Sequence, residues 1–143
     1  MGEFTNLRVH PDVPGGMRML RQSGIRLFTM TNGAAAMTEK ILAREGLIDL
    51  VEARLDVSGP AAWKPARAAY DYAVDHAGVR PGRASLVAVH PWDIDGAQRA
   101  GLTGAWLERR GEPYPSAMSA PQITAPDLEA LAAMWRDAGT DPA

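Results

Sequence analysis

The sequence predicts an α/β fold, a parallel β-sheet with helices packed on both faces. Three observations carry that prediction. Short apolar runs bounded by turn residues alternate with helical stretches of about a dozen residues, the pattern of strands joined by crossover helices. One run, residues 85–89 (SLVAV), is the strongest strand signal in the chain: short, apolar, and enclosed by turn residues. The third observation is the composition of the strand ends. Thr-Asn-Gly, Ser-Gly-Pro and His-Pro-Trp-Asp follow successive strands, at the place where open parallel sheets gather their reactive groups.

Taken in order, Asp12 with Pro14 opens a helix that carries Met17, Leu20 and the stem of Arg21, and Gly24 stops it. Residues 25–30 (IRLFTM) form a short buried strand, broken by Thr31-Asn32-Gly33. Met37, Ile41 and Leu42 then recur at helical spacing until Gly46. Residues 53–57 make a weaker strand, Ser58-Gly59-Pro60 a loop. Trp63-Lys64-Pro65 leads into a helix with Ala69, Tyr70, Ala73 and Val74 inward, ended by Gly78. After the Pro81-Gly82 turn and the 85–89 strand, His90-Pro91-Trp92-Asp93 opens a short helix reaching Gly101. Residues 104–107 (GAWL) are the last core strand. The stretch 109–126, rich in proline, glycine and serine, is a loop, and 126–137 is a terminal helix burying Leu128, Leu131 and Trp135. The expectation is a single domain over 1–143: an opening helix within 1–24, an alternating core over 25–107, and loop plus terminal helix over 108–143.

Bulk properties exclude several classes. A chain of 143 residues, 46% hydrophobic and 22% charged, has the length and composition to bury a core as one domain. A formal charge of −2 gives no electrostatic reason for nucleic acid or an anionic membrane as partner. With no cysteine, thiolate nucleophiles, disulfides and cysteine metal sites are excluded. No apolar run approaches the roughly 18 residues of a membrane span, and residues 1–10 show no apolar signal-peptide core. The expected setting is the cytoplasm.

Each strand end has two readings. At Thr31-Asn32-Gly33, backbone N–H groups at a helix N-terminus suit a carboxylate or phosphate; alternatively the residues are a cap and turn. Lys64 either neutralises a carboxylate or holds an anion, or it is a solvated lysine. Asp93 either orients a base or caps the helix that follows it. His90 is a general base, an anion ligand, or a loop histidine. Trp92 lines a pocket or packs in the core.

The ordered trio formed by residues 25–33 (IRLFTMTNG), Trp63-Lys64-Pro65 and residues 87–101 (VAVHPWDIDGAQRAG) resembles motifs two, three and four of the haloacid dehalogenase superfamily. Within it the likeness is strongest to the type II L-2-haloacid dehalogenases. The Trp-Asp pair before a Gly-Ala helix and the segment 104–110 (GAWLERR) favour that branch, and the likeness runs from about residue 7 to residue 135. The resemblance implies a Rossmann-like sheet and a hydrolase needing neither cofactor nor metal, acting on a small anionic substrate such as a 2-haloacid carboxylate. An aspartate of such an enzyme attacks the halide-bearing carbon, and water hydrolyses the resulting ester. Thr31 and Asn32 would contact the substrate carboxylate. Lys64 would keep the nucleophilic carboxylate ionised, and Asp93 would position Lys64 or the hydrolytic water. His90 and Trp92 would border the substrate.

Departures from the pattern alter what is expected. Ala88 and His90 stand where this branch usually has Ser and Asn. Phosphatase members carry a first acidic metal ligand four residues before the second; that place is Val89, and valine cannot bind Mg²⁺. The Asp-x-x-Gly-Thr-like segment that holds the nucleophile does not appear, Asp12 being a poor substitute because it precedes a helix. The family's sheet puts that first strand between the 25–30 and 85–89 strands. The expectation is therefore a partial core, inactive alone, in which the two strands close up, a second copy or complementing segment fills the slot, or the chain is marginal by itself. Three other readings compete: a catalytically silent binding or subunit protein on the same scaffold, a phosphatase of the same superfamily, and an unrelated flavodoxin-like module whose motifs are accidental.

Overall fold

The computed structural model describes residues 9–139; residues 1–8, within the stretch read as free of a signal-peptide core, lie outside them. Among the described residues ten α-helices and β-strands follow in order: α1 (Asp12–Gln22), β1 (Phe28–Thr31), α2 (Ala35–Arg44), β2 (Ala53–Asp56), α3 (Arg67–Ala77), β3 (Ser85–Ala88), α4 (Pro91–Arg99), β4 (Thr103–Leu107), β5 (Ile123–Ala125) and α5 (Leu128–Asp137). Every strand pairing among them is parallel, β1 with β2, β3 with β4, and β4 with β5. The chain divides into two compact units, one running to Asp56 and resuming at Asp127, the other spanning Val57–Pro126.

In the first unit, β1 and β2 pair in the register Thr31↔Asp56, and α2 packs on both strands. The register brings Asp56 beside the start of α2. Ala34, the residue before α2, has no side chain able to cap it, and the Ala35 N–H donates instead to Asp56 Oδ2 at 2.8 Å. A carboxylate at a helix N-terminus satisfies an orphan donor and complements the dipole. α2 ends as the sequence implied. Gly46 takes a positive φ of 72°, which lets the Leu47 N–H turn back onto the Leu42 carbonyl at 2.8 Å.

Helices α1 and α5 pack on one another in the same unit. Asp12, expected to open α1, is buried and accepts a 2.7 Å bond from the N–H of Leu128, the first residue of α5. α5 is thus capped twice, since Asp127 Oδ1 accepts from Ala130 N at 2.7 Å. A Cβ at Gly16 would lie 2.6 Å from Leu128 Cγ, so the close crossing of these helices needs glycine there.

In the second unit α4 packs against β3 and β4, with α3 on α4. Tyr70, Val74, Ala97, Ala100 and Leu102 form its buried cluster, with Leu86 of β3 packed against it. The alternation of apolar positions on α3 and α4 predicts these contacts. Gly78, with φ of 73°, closes α3 in the left-handed region.

Two expectations are corrected. The stretch 109–126 is not loop throughout: Ile123–Ala125 forms β5 and pairs with β4 in the register Trp106↔Thr124. Three residues after a proline-, glycine- and serine-rich run are too short to show a strand period, and their order comes from pairing with β4. The first strand is also displaced, to Phe28–Thr31 from 25–30, so Thr31 ends the strand rather than breaking it. Among the described residues β1 has a strand neighbour only in β2 and β3 only in β4, which leaves each with one open edge. No helix of the described residues is long and apolar enough to cross a membrane.

Candidate active site

The second unit holds a buried charged network at the start of α4. Asp93 sits in the first turn of that helix, 4% exposed. Its Oδ2 receives the Lys64 ammonium at 2.7 Å, and the two side chains are 6% and 8% exposed. Its Oδ1 accepts the Tyr70 hydroxyl at 2.6 Å, and that hydroxyl also lies 3.2 Å from the Asp93 carbonyl. A carboxylate so placed has its lone pairs satisfied by a cation and a phenol, the condition under which a buried charge is tolerated.

Local sequence sets the geometry. Pro91 at the first position of α4 starts the helix without wasting an N–H, which puts Asp93 in its first turn. The residues Lys64-Pro65, whose peptide is cis, precede α3. Tyr70 is on the inward face of α3, 2% exposed. Gly96, one turn after Asp93, makes the approach possible: a Cβ there would stand 2.7 Å from Pro65 Cβ and 2.8 Å from the Tyr70 hydroxyl.

Tyr70 is the site residue that the sequence reading did not single out; it was expected to face inward, as it does, but as packing. Burial first, and then its bond to Asp93, push the phenol's pKa well above the ordinary tyrosine range. A folded-state pKa raised above the unfolded value contributes stability that is fully present below the unfolded pKa and is lost as pH rises from there through the folded pKa. The chain is therefore expected to lose stability above about pH 10, where an unfolded tyrosine ionises and Tyr70 does not. Urea midpoints measured from about pH 8 to about pH 11 check this, and the decline should be shallower in Tyr70→Phe.

His90 and Trp92 are also brought together. His90 is exposed just before α4, and its ring stacks on Trp92 with centroids 5.5 Å apart and planes 12° from parallel. Trp106 of β4 donates its indole N–H to the Val89 carbonyl at 2.9 Å and meets Tyr114 edge-on at 5.1 Å. His90, Trp92 and Trp106 border a cavity of about 250 Å³.

Thr31 and Asn32 belong to the first unit. The Thr31 hydroxyl accepts the Gly33 N–H at 2.9 Å, the turn geometry that was one of the two readings of this motif. Asn32, next to it, is half-buried.

A family model described as haloacid dehalogenase-like hydrolase matches residues 2–101. The chain belongs to the haloacid dehalogenase-like hydrolases. Haloacetate dehalogenase H-2 of Moraxella sp. (strain B) is 29% identical over 129 residues, which is 90% of this chain and 58% of that protein. The crystal structure of an L-2-haloacid dehalogenase, 29% identical, superposes with a TM-score of 0.88 over 94% of this chain and 59% of that one. A phosphatase of the family from Thermococcus onnurineus, 27% identical, gives 0.78 over 92% and 58%. This haloacid dehalogenase-like chain thus spans a little under three fifths of the length of the relatives it matches.

Proposed function

We propose that the chain supplies the lysine–aspartate half of a 2-haloacid dehalogenase site, with the nucleophilic aspartate coming from a segment outside these 143 residues. The buried Lys64–Asp93–Tyr70 network carries this reading. An ammonium has three N–H donors and can bridge two carboxylates. Asp93, itself held by Tyr70, would fix Lys64 so that the lysine also meets the nucleophile and keeps it ionised.

The reaction then runs in two steps. A carboxylate oxygen of the nucleophile bonds to C2 of the 2-haloacid, and the halide leaves with the electron pair of the broken bond. Water next attacks the ester carbonyl carbon, and cleavage of the acyl–oxygen bond returns the carboxylate and releases the 2-hydroxy acid. The family resemblance assigns contact with the substrate carboxylate to Thr31 and Asn32, and contact with the substrate to His90 and Trp92 as well. A segment or second copy pairing with an open strand edge belongs to the same proposal.

The phosphatase reading fits the residues less well. Val89 offers no acidic group, and both carboxylates at the start of α4 are engaged. Asp93 is bonded to Lys64 and Tyr70, and Asp95 to Ser119 N at 2.8 Å and Arg99 at 2.9 Å. A hard cation would have to break these pairs to gain its oxygens.

Joining this chain to the N-terminal part of a 2-haloacid dehalogenase tests the assignment. The chimera is expected to release halide from L-2-chloropropionate, the chain alone to release none, and Lys64→Ala to abolish release by the chimera. Phosphate-ester hydrolysis without halide release, or release that survives Lys64→Ala, would sink the proposal.

A further inference from the structure

The cavity between the start of α4 and the β4–β5 connection has more room than a two-carbon haloacid needs. It is a partly open cleft of about 250 Å³, and a closed apolar cavity of about 150 Å³ is enough to house benzene. Two tryptophans are among its walls, each with a defined partner. Trp92 is stacked on His90, and Trp106 is pinned by its N–H to the Val89 carbonyl. Met118 and Pro115 close the side formed by the β4–β5 connection, a flexible thioether beside a rigid ring.

That connection is itself anchored. Ser119 N donates to Asp95, the Gln98 amide donates to the Ala120 carbonyl at 2.9 Å, and Gln122 N donates to Gln98 Oε1 at 3.1 Å. Three bonds from one face of α4 therefore hold the segment that carries Met118, so the cavity is a built feature rather than a fold of loose loop. Its formally charged lining side chains are two guanidinium groups and one carboxylate. Arg109 and Arg110 line it with His90, and Glu112 is the single carboxylate among its lining residues. Guanidinium groups favour carboxylates through paired N–H donors.

We infer that this cavity binds a small organic anion with a hydrocarbon body of about phenyl size, an aryl-substituted carboxylate in preference to acetate or haloacetate. The body lies among Trp92, Trp106 and Met118, and the carboxylate meets the exposed Arg110 guanidinium. The cavity shares His90 and Trp92 with the proposed substrate site, and the inference rests on that reading for those two residues while concerning what the chain holds without turnover.

Titration of the purified chain with phenylacetate and with acetate, followed by isothermal calorimetry and indole fluorescence, tests it. Phenylacetate is expected to bind at least about tenfold more tightly, since only it buries a ring. Met118→Trp, which fills the cavity from its rim, should abolish phenylacetate binding. Arg110→Gln, an exposed change that leaves the fold intact, should weaken phenylacetate several-fold while leaving neutral benzyl alcohol unaffected. Equal affinity for the two acids, no binding of either, or phenylacetate binding unchanged in both variants would overturn the assignment. None of these readouts depends on halide release, so failure here leaves the dehalogenase proposal standing, and the reverse holds too.

Discussion

Replacing Asp93 with alanine is expected to destabilise the chain by about 3–5 kcal/mol, the loss typical when one partner of a buried ion pair is removed. The magnitude follows from what stays behind. Lys64 is 8% exposed at its side chain, so its ammonium would remain largely desolvated without the carboxylate 2.7 Å away. The Tyr70 hydroxyl would lose its 2.6 Å acceptor at the same time. A whole domain is stable by about 5–15 kcal/mol, so the variant should be near the edge of folding. Urea denaturation measures the change as a shift in midpoint at constant slope. A discriminating companion is the double variant Lys64→Met with Asp93→Leu. Removing both charges in favour of apolar groups of similar volume should recover most of the loss, because an isolated buried charge is costly while a missing pair is not. If Asp93→Ala alone costs less than about 1 kcal/mol, the pair is solvated and worth no more than a surface bridge.

The difference between what was legible in the sequence and what was not follows a physical line. Helices, their glycine stops and the strand ends carrying Lys64, His90, Trp92 and Asp93 were readable, because periodicity and turn residues are local signals. Three features were not. Tyr70 shows in the pattern as an inward residue, but its period says nothing of what its hydroxyl reaches, and the acceptor is 23 positions away. Asp56 and Asp12 cap helices 21 and 116 positions distant, so no local capping motif marks them. β5 is three residues long and depends on β4 for its order. What the sequence hides is thus the far end of polar side chains and the shortest of the pairings, both decided by tertiary placement.

Gly96→Ala separates local preference from packing in the same site. By helix propensity alone, alanine inside α4 should stabilise by up to about 1 kcal/mol. The added methyl, however, would stand 2.7 Å from Pro65 Cβ and 2.8 Å from the Tyr70 hydroxyl, with the Tyr70 ring at 3.0 Å. Neither neighbour yields cheaply: Pro65 is a ring fused to the backbone, and Tyr70 is 2% exposed and packed in the cluster with Val74 and Ala97. Overpacking of this kind costs about 1–3 kcal/mol, so packing wins and the variant is expected to be less stable than the parent. The direction of the strain matters more than its size. To make room, Tyr70 must move from Asp93, so the phenol should ionise at lower pH than in the parent, as a titration of phenolate absorbance would show. In Tyr70→Phe the hydroxyl that meets the new methyl is gone, and the cost of Gly96→Ala should fall. That non-additivity would place the effect in the Tyr70–Asp93 contact rather than in α4 itself. A Gly96→Ala variant more stable than the parent would mean that α3 and α4 sit further apart than the 2.8 Å contact requires, and the tight hold on Asp93 would have to be given up with it.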